Sequence, residues 1–596
     1  MSFKAPLKDM LFNLKHISNI DALSKLPGFE EYGLETAQMV LEECARFNET
    51  VLAPLNASAD KAPAVFAEQA VKTSEGFKQA YAQYTEGGWQ GLQHPMAYGG
   101  QNLPKSVGAL CSEILNSANL SFALCPLLTD GAIEALLTAG STEQKETYLH
   151  RLVSGEWSGT MNLTEPQAGS DLSLIRTRAE HASDGTYRVF GTKVFITFGE
   201  HDLASNIVHM VLARVAGAPD GVKGISLFLV PKFMPMDNGQ LGERNDVYCV
   251  SLEHKLGIKA SPTAVMQFGD HGGAKAFLVG EENRGLEYMF IMMNAARYGV
   301  GIQGVALAER AYQKAVNYAK DRVQSRPVDG SQKSAIAIVH HPDVKRMLMT
   351  MRAYTQGSRS LAAHAAAAFD IAHNDPDASR RQAHLEQYEF LVPLVKGFST
   401  EMSQWVSSLG VQVHGGMGFI EETGAAQYYR DAKILTIYEG TTAIQANDLL
   451  GRKTLRDGGQ FARRLSDIIE ETLQELGLQS NEDLQVMHAQ LTLSKAHFEQ
   501  AVRFMLEHAK DAPNVVYAGS VPYLMLTSMV VVGWLYAKSM LVSRAQIERF
   551  DDVAFYRAKI KTARFFAEHL LTQTGSALHS IVKGAQSVNA LAVEDF

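Results

Sequence analysis

Positions 434–445 read Ile434-Leu435-Thr436-Ile437-Tyr438-Glu439-Gly440-Thr441-Thr442-Ala443-Ile444-Gln445 and set one carboxylate, that of Glu439, between an apolar run and a Gly-Thr-Thr turn. In one interpretation Glu439 is a surface acid before a helix, and Thr441 or Thr442 caps the first turn of that helix. In the other interpretation Glu439 is a base, because apolar neighbours would remove water from the carboxylate and raise its pKa toward neutrality. The spacing alone favours the cap, so the rest of the chain has to decide.

The length and composition are those of a soluble protein with several domains. A chain of 596 residues is too long for one hydrophobic core, and we expect about three or four domains. Its content of 46% hydrophobic and 20% charged residues is typical of globular proteins. The formal net charge of -9 argues against binding of nucleic acid or of an anionic membrane, because both need clustered positive charge.

The cysteines and the hydrophobic runs indicate a reducing, aqueous compartment. Four cysteines lie far apart and form no CxxC pair, which argues against a disulfide framework or a zinc site: Cys44, Cys111, Cys125 and Cys249. The N-terminus has no apolar run long enough for a signal peptide. The most hydrophobic stretch, 521–536, is shorter than the ~20 residues that span a bilayer, so it predicts a buried helix. We predict no transmembrane segment and a cytoplasmic location.

The hydrophobic pattern divides the chain into four parts. Residues 1–155 show helical periodicity, whereas from Trp157 to about Phe268 short β-branched and aromatic runs alternate with turns. Helical periodicity returns at Gly285, and apolar stripes beyond 451 predict a further helical unit with no chemistry of its own. We therefore expect an N-terminal helical domain (1–155), a middle β-domain (156–275), a C-terminal helical domain (276–450) and an additional helical domain (451–596).

The glycines at 299, 301 and 304 match a dinucleotide-binding fingerprint in spacing but not in context. The fingerprint requires a preceding strand and a tight turn into a helix, whereas Gly299, Gly301 and Gly304 lie inside an alanine-rich helical period. Glycines at such positions let another backbone or a ligand approach closely. No alternation of strands and helices accompanies them, which argues against a Rossmann fold.

Three further stretches carry polar residues and glycines that a core does not need. The stretch 161–171 reads either as a surface turn or as a cradle of backbone groups and hydroxyls for a polar ring edge. The stretch 322–326 reads either as a solvated helix end or as an arginine with neutral donors for a pyrophosphate. The stretch 412–419 is a glycine-rich turn, in which His414 is predicted to be a hydrogen-bonded structural histidine.

Together and in this order, these stretches resemble the acyl-CoA dehydrogenase family of FAD enzymes. The resemblance runs from roughly residue 30 to 452 and is most specific at Thr164-Glu165-Pro166…Gly169-Ser170-Asp171 and at Tyr438-Glu439-Gly440-Thr441. It implies an α+β, mainly helical fold with an N-terminal helical domain, a middle β-domain and a C-terminal four-helix domain. The additional C-terminal helical domain resembles that of the larger bacterial members, and we expect it to have a structural and interface role.

The resemblance also implies a reaction. Glu439 would remove the α-proton of an acyl-CoA thioester, and the β-hydrogen would leave as hydride to N5 of FAD, giving a trans-2-enoyl-CoA. The backbone N–H of Glu439 and a ribityl hydroxyl would meet the developing enolate oxygen. An electron-transferring flavoprotein would then reoxidise the cofactor, as in fatty acid β-oxidation. No metal is implied, and the sequence offers no ligand cluster for one.

Residue roles follow from the same resemblance. Residues expected near the isoalloxazine ring or the thioester are Met161, Leu163, Thr164, Gly169, Ser170, Phe195, Ile196 and Thr197. Residues expected to hold the pyrophosphate and adenosine of a neighbouring subunit are Arg322, Gln324, Gln412, Gly415 and Gly416, which implies a homodimer or a dimer of dimers. Thr441 and Ala443 would close over the cofactor, and the substrate would contact Ser170, Arg297, Tyr438 and Gly440. Ala443 and Ser325 depart from the residue types common in the family.

Two rival functions remain compatible with this frame. An acyl-CoA oxidase passes electrons to oxygen, and the sequence does not separate it from a dehydrogenase. A related flavoprotein binds DNA instead, but the net charge of -9 and the intact Glu439 argue against that function.

Overall fold

A computed structural model describes residues 3–236 and 239–596. Its first part is a layer of helices that pack around buried aliphatic and aromatic side chains. The bounds of these helices are α1 (Leu7–His16), α2 (Ile20–Leu23), α3 (Leu34–Phe47), α4 (Leu55–Lys61), α5 (Phe77–Glu86), α6 (Lys105–Ala118), α7 (Leu120–Ala139) and α8 (Thr142–Val153).

A short hairpin interrupts this helical part, and the hairpin was not predicted from the sequence. Strands β1 (Val65–Ala67) and β2 (Ala70–Lys72) pair antiparallel. Glu68 and Gln69 join them in the left-handed region, with φ of 52° and 59°. Such a turn usually carries Asn or Gly, and three-residue strands are too short to show alternation, so neither the turn nor the strands could be recognised from their residues.

The middle of the chain forms the predicted β-domain. Its strands are β3 (Trp157–Asn162), β4 (Arg178–His181), β5 (Tyr187–Thr197), β6 (Asn206–Val215), β7 (Ser226–Pro231), β8 (Phe233–Pro235), β9 (Leu241–Arg244), β10 (Val247–Leu252), β11 (Thr263–Phe268) and β12 (Ala274–Leu278). The main sheet has the order β10-β11-β5-β12-β7-β6-β3, and β4 pairs with β5 and β6. Strand β12 crosses the boundary expected at 275, because its Ala, Lys and Leu residues favour helices and only pairing with β5 and β7 makes it a strand.

A bundle of long helices follows: α9 (Gly285–Asp321), α10 (Pro342–Asn374), α11 (Ala378–His414) and α12 (Ala425–Leu435), with the short α13 (Thr442–Asn447). The glycines of the rejected fingerprint lie in α9. A Cβ at Gly301 would stand 2.7 Å from the Val395 carbonyl oxygen, and a Cβ at Gly304 would stand 2.6 Å from that of Ser399. The expectation of a close backbone approach is therefore confirmed, since these glycines let α9 lie against α11.

The last part of the chain packs onto the bundle. Its helices are α14 (Gln460–Gly477), α15 (Glu482–His508), α16 (Pro513–Ala518), α17 (Ser520–Glu548), α18 (Val553–His569), α19 (Thr574–Lys583) and α20 (Ala585–Val588). The Tyr536 hydroxyl donates to the Ala353 carbonyl of α10 at 2.6 Å. By length and composition alone, α7 and α17 could each cross a membrane, yet 78% of the apolar window of each is buried in the protein. The buried helix predicted at 521–536 is confirmed, as is the mainly helical α+β fold.

Candidate active site

The turn that carries Glu439 links α12 to α13 at the centre of the bundle. Glu439 and Gly440 both adopt left-handed backbone conformations, with φ of 52° and 88°. The Thr441 hydroxyl accepts a hydrogen bond from the Ile444 N–H at 3.3 Å, so Thr441 is the cap of α13. The cap thus leaves the Glu439 side chain free for another purpose. A left-handed glutamate is a strained conformation that the surroundings must hold in place.

The electrostatics of Glu439 suit a base. Its side chain is half-buried, and burial raises the pKa of the carboxyl above its ordinary value. The positive charges of Arg297 and Lys396 oppose this rise only in part. A carboxyl whose pKa moves toward neutrality can accept a proton more strongly than a solvated one.

Arg297 of α9 faces the same turn. It is 4% exposed, and its Nη1 lies 3.7 Å from Oδ2 of Asp448 and 3.4 Å from Oδ1 of Asn294. Its Nε–H has no hydrogen-bond partner among the described residues. Burial lowers the pKa of Arg297, against the charges of Asp448 and Glu439. A buried guanidinium with an unused donor is suited to an anionic or carbonyl group of a ligand.

Lys396 and Gln445 hold the backbone of the turn, and neither role was predicted from the sequence. Lys396 of α11 donates from Nζ to the Gly440 carbonyl oxygen at 2.6 Å. Gln445 donates from Nε2 to the carbonyl oxygens of Glu439 and Gly440, at 3.3 Å each. The signal for Lys396 was present, because a lysine inside the apolar run 390–398 is buried only when its ammonium has a partner. Tyr438, expected near the substrate, donates from its hydroxyl to Gln303 Oε1.

The residues expected near the isoalloxazine ring meet at the ends of β3 and β5. The Val194 N–H donates to the Thr164 carbonyl at 2.9 Å, and the Thr160 hydroxyl donates to the Thr197 carbonyl at 2.8 Å. These bonds bring the expected sets 161–164 and 195–197 side by side. Gly169 and Ser170 are exposed on the turn that follows.

A buried ion pair fixes that turn. Glu165 Oε1 accepts from Lys193 Nζ at 2.8 Å and from the Thr177 hydroxyl at 2.6 Å, and Lys193 also donates to the Leu163 carbonyl at 3.0 Å. Burial raises the pKa of Glu165, but Lys193 and the hydrogen bonds outweigh it and lower the pKa to about 2. Glu165 is therefore a structural residue that holds the 161–171 turn in its conformation.

The surface around this turn fits a planar polar cofactor. Phe195 is 61% exposed and left-handed, with φ of 61°, so a bare aromatic face stands beside the 161–164 backbone. A Cβ built at Gly169 would meet no atom within 4 Å, and the same holds at Gly415 and Gly416. An open aromatic face flanked by accessible backbone is what a flavin ring and its phosphates require.

The residues expected to hold the pyrophosphate and adenosine lie at or just beyond the C-terminal ends of α9 and α11. His414 donates from Nδ1 to the Gly410 carbonyl at 2.7 Å and stacks on Tyr318 at 4.3 Å between ring centroids, which confirms its structural role. This contact sets Arg322 near the 412–416 turn, where Arg322, Gln324, Gln412, Gly415 and Gly416 are all exposed. Among the described residues, no hydrogen bond, ion pair or ring contact joins this set to Glu439 or to the 161–171 turn.

Family models match nearly the whole chain in sequence. They are described as the acyl-CoA dehydrogenase N-terminal domain at residues 34–156, the middle domain at 160–271 and the C-terminal domain at 283–453. A fourth, described as acetyl-CoA dehydrogenase C-terminal like, matches residues 462–592.

Relatives of the same length agree with these matches. The chain is 53% identical to 3-methylmercaptopropionyl-CoA dehydrogenase of Ruegeria pomeroyi over 97% of this chain and 98% of that protein. It is 35% identical to the broad-specificity linear acyl-CoA dehydrogenase FadE5 of Mycobacterium tuberculosis, again over 97% and 98%. The crystal structure of an acyl-CoA dehydrogenase complexed with FAD from Bacillus anthracis shares the fold, with a TM-score of 0.74 and 22% identity over 95% of this chain and 90% of that one. This chain belongs to the acyl-CoA dehydrogenase family.

Proposed function

We propose that the protein catalyses the FAD-dependent α,β-dehydrogenation of an acyl-CoA thioester to a trans-2-enoyl-CoA, with Glu439 as the base. The observation that carries the proposal is the half-buried Glu439 carboxyl, whose pKa is raised by burial. Glu439 lies on a strained turn, and the residue that caps the following helix is Thr441 and not Glu439. An α-proton of a thioester is weakly acidic, so its removal needs a desolvated base held in position.

The residues around Glu439 would have separate roles in the reaction. Glu439 would take the α-proton, and its backbone N–H would donate to the thioester oxygen as that oxygen gains charge. Arg297, with its unused Nε–H, orients the thioester end. Tyr438 and Gly440 of the same turn, and Ser170 of the 161–171 turn, would contact the substrate.

FAD would be held by two sets of residues. Met161, Leu163, Thr164, Gly169, Ser170, Phe195, Ile196, Thr197 and Thr441 would surround the ring, where FAD supplies the acceptor for the β-hydride. Among the described residues, no hydrogen bond, ion pair or ring contact joins the exposed set at the ends of α9 and α11 to that region, so we assign this set to the cofactor of a second subunit. Phe419, 86% exposed beside the 412–416 turn, supports an interface there. We therefore propose a homodimer or a dimer of dimers.

The electrons would pass to an electron-transferring flavoprotein, and the four free, buried cysteines suit a cytoplasmic location. The name of the Ruegeria pomeroyi relative makes a thioether acyl-CoA one substrate worth testing, beside linear and branched ones.

The test combines cofactor content, subunit state and electron acceptor. We expect a yellow protein with about one FAD per chain, dimeric or tetrameric by light scattering. Anaerobic addition of the preferred acyl-CoA should bleach the flavin bands, and air should restore them slowly while an electron-transferring flavoprotein or dye restores them fast. Fast reoxidation by air alone would make the enzyme an oxidase, and a protein without flavin that takes up no added FAD would refute the proposal.

A further inference from the structure

Lys396 is a buried ammonium without a salt bridge. Its side chain is 0% exposed, and it lies in the middle of α11 between Val395 and Gly397. Among the described residues, no carboxylate lies within 4.0 Å of its Nζ. Buried lysines are almost always ion-paired, so the position of Lys396 needs another explanation.

Among the described residues, the Lys396 ammonium makes one hydrogen bond, and that bond ends on the active-site turn. At 2.6 Å the Nζ donates to the carbonyl oxygen of Gly440, the residue after the base. Gly440 has a left-handed backbone, and a Cβ there would stand 2.8 Å from Gln445 Nε2, so a larger residue would strain the turn and displace the Gln445 amide. Two donors from different helices, Lys396 and Gln445, therefore converge on one carbonyl and fix the direction in which Glu439 leaves the turn.

We propose that Lys396 is a positioning residue for the reaction: it clamps the Glu439–Gly440 turn through the Gly440 carbonyl and sets a positive charge behind the Glu439 carboxylate. This inference rests on the proposed role of Glu439 as the base. It goes beyond that role because it makes a residue outside the binding surface responsible for both the geometry and the operating pH of the base.

The charges around Glu439 show why Lys396 is the one to test. Groups that face the base or its cationic neighbours from the packed elements are Arg297 of α9, Lys396 and Glu401 of α11, Tyr438 of the turn, and Asp448 and Arg452 beyond α13. Arg297 shares its charge with Asp448, 3.7 Å away, whereas Lys396 has no carboxylate so close. Burial lowers the pKa of Lys396 to about 8, against the charges of Glu439 and Glu401, so the ammonium form prevails at neutral pH.

The variant Lys396→Met keeps the length and volume of the side chain but removes the donor and the charge. Its flavin-bleaching rate constant, measured anaerobically at saturating acyl-CoA, should fall about 10- to 100-fold, since a displaced base loses its alignment. The acidic limb of the pH profile should move up by about one unit, because an opposite charge near a carboxylate lowers its pKa by that much or more. FAD content should stay at the wild-type level, and the melting temperature is followed in parallel.

Two matched variants separate the effects. Gln445→Leu removes a neutral donor from the same carbonyl, so the rate should fall while the acidic limb stays in place. Lys559→Met removes a different buried lysine, which bonds to Asp9 at 2.7 Å, and should change the melting temperature without moving the limb. If Lys396→Met does not yield folded protein with FAD, Lys396→Gln takes its place, with the same expected shift of the limb.

The outcomes are distinct. The inference is overturned if the flavin of the Lys396 variant bleaches within threefold of the wild-type rate, or if the acidic limb of its pH profile lies at the wild-type pH. An equal shift of the limb in Lys559→Met also overturns it, because the shift would then report loosened packing. Glu439→Gln in the same series separates the two proposals: if that variant bleaches normally, Glu439 is not the base and the proposed function fails whatever Lys396 does.

Discussion

Two clusters of buried charge lie in the same helical bundle and are built in opposite ways. The first, which we call the arginine hub, centres on Arg359 of α10, which is 1% exposed. Arg359 bonds to Asp9 at 2.6 Å, to Glu113 at 2.5 Å and to Glu309 at 2.8 Å, and Lys559 of α18 bonds to Asp9 at 2.7 Å. The hub therefore joins α1, α6, α9, α10 and α18 through closely paired charges.

The second cluster surrounds Glu439, and its charges are held apart. Neither Arg297 nor Lys396 lies within 4.0 Å of the Glu439 carboxylate, and Arg297 keeps an unpartnered N–H among the described residues. Burial raises the pKa of Glu439, and the charges of Arg297 and Lys396 offset this rise only in part, whereas in the hub the charges of Lys559 and Arg359 outweigh burial and lower the pKa of Asp9 to about 2.

The difference teaches how to tell a structural cluster from a reactive one. A paired cluster gives each buried charge a close partner of opposite sign and holds helices in register. An incompletely paired cluster leaves a carboxyl that can change its protonation and donors that a ligand can use. The arginine hub should thus govern stability, and the Glu439 cluster should govern turnover.

Removal of residues 451–596 should lower the stability of the protein more than any other change to the arginine hub. It deletes Lys559 and uncovers the faces of α10 and α11, where Val532 lies against Gly357 and Leu524 against Gly397. Glu439, Arg297 and Lys396 all remain in 1–450, yet we expect that fragment to aggregate. Light scattering and thermal denaturation check this against the full chain. A soluble fragment of wild-type stability and subunit state would show that the extension has no structural role.

The variant Glu439→Gln should abolish turnover without changing stability. The amide keeps the size and hydrogen bonding of the side chain but cannot take the α-proton, and general-base catalysis is worth ~10²–10⁴-fold. Steady-state activity with a dye acceptor should fall by at least that factor, with FAD content and melting temperature unchanged. The control is Glu401→Gln, which alters a carboxylate that accepts from Thr442 nearby. An equal loss in the control would mean that the assay reports disturbance of the region.

The variant Arg359→Met should lower stability and leave the pH dependence of turnover unchanged. Loss of the hub's arginine leaves buried carboxylates unpaired, which costs about 3–5 kcal/mol of the free energy of unfolding. The surviving folded enzyme should keep the wild-type pH profile of turnover. Chemical denaturation measures the cost, and Arg346→Met on the same helix is the control, since its exposed pair with Asp343 is worth only about 0–1 kcal/mol. Similar costs for both variants would show that the hub is no stabilising centre.

The acid sensitivity of the hub should be the smallest of these effects. Asp9 has a pKa lowered from 3.8 to about 2 in the folded protein. A lowered carboxyl pKa stabilises the fold above the unfolded value, and this stabilisation is lost as the pH falls from about 4 to about 2. Its size is roughly 2 kcal/mol. Asp9→Asn should flatten that part of the curve of unfolding free energy against pH. An unchanged slope would mean that other carboxyls carry the acid response.

The sequence predicted the helical and β parts and the turn at 434–445 well, because periodicity and turn chemistry are local. Strand β5 and the buried α17 follow from their own residues. The sequence did not predict the hairpin at 65–72, whose strands are too short for a pattern, or the end of β12, whose residues favour a helix. The expected roles of Glu439, Arg297 and the cofactor residues came from resemblance and stay predictions.

Lys396 and the arginine hub lay beyond the reach of a single sequence for another reason. Their partners are distant along the chain: Lys396 meets Gly440, and Arg359 meets Asp9. Only the packing of α9, α10 and α11 brings these groups together. For Lys396 the available sign was a lone charge inside the apolar run 390–398, which shows that a partner exists without showing which. Arg359 lies among polar residues, Thr355, Gln356, Ser358 and Ser360, so its surroundings in the sequence carry no such sign.

The most direct test of the account isolates proton removal by Glu439 from hydride transfer. A 3-thia-acyl-CoA has sulfur at the β position and no β-hydrogen there, so it can lose its α-proton but cannot be oxidised. In D2O the wild-type enzyme should exchange an α-hydrogen of this thioester for deuterium, as followed by mass spectrometry, and Glu439→Gln should leave it unexchanged beyond the rate without enzyme. Exchange by Glu439→Gln within a few-fold of the wild-type rate would contradict the assignment of Glu439 as the base.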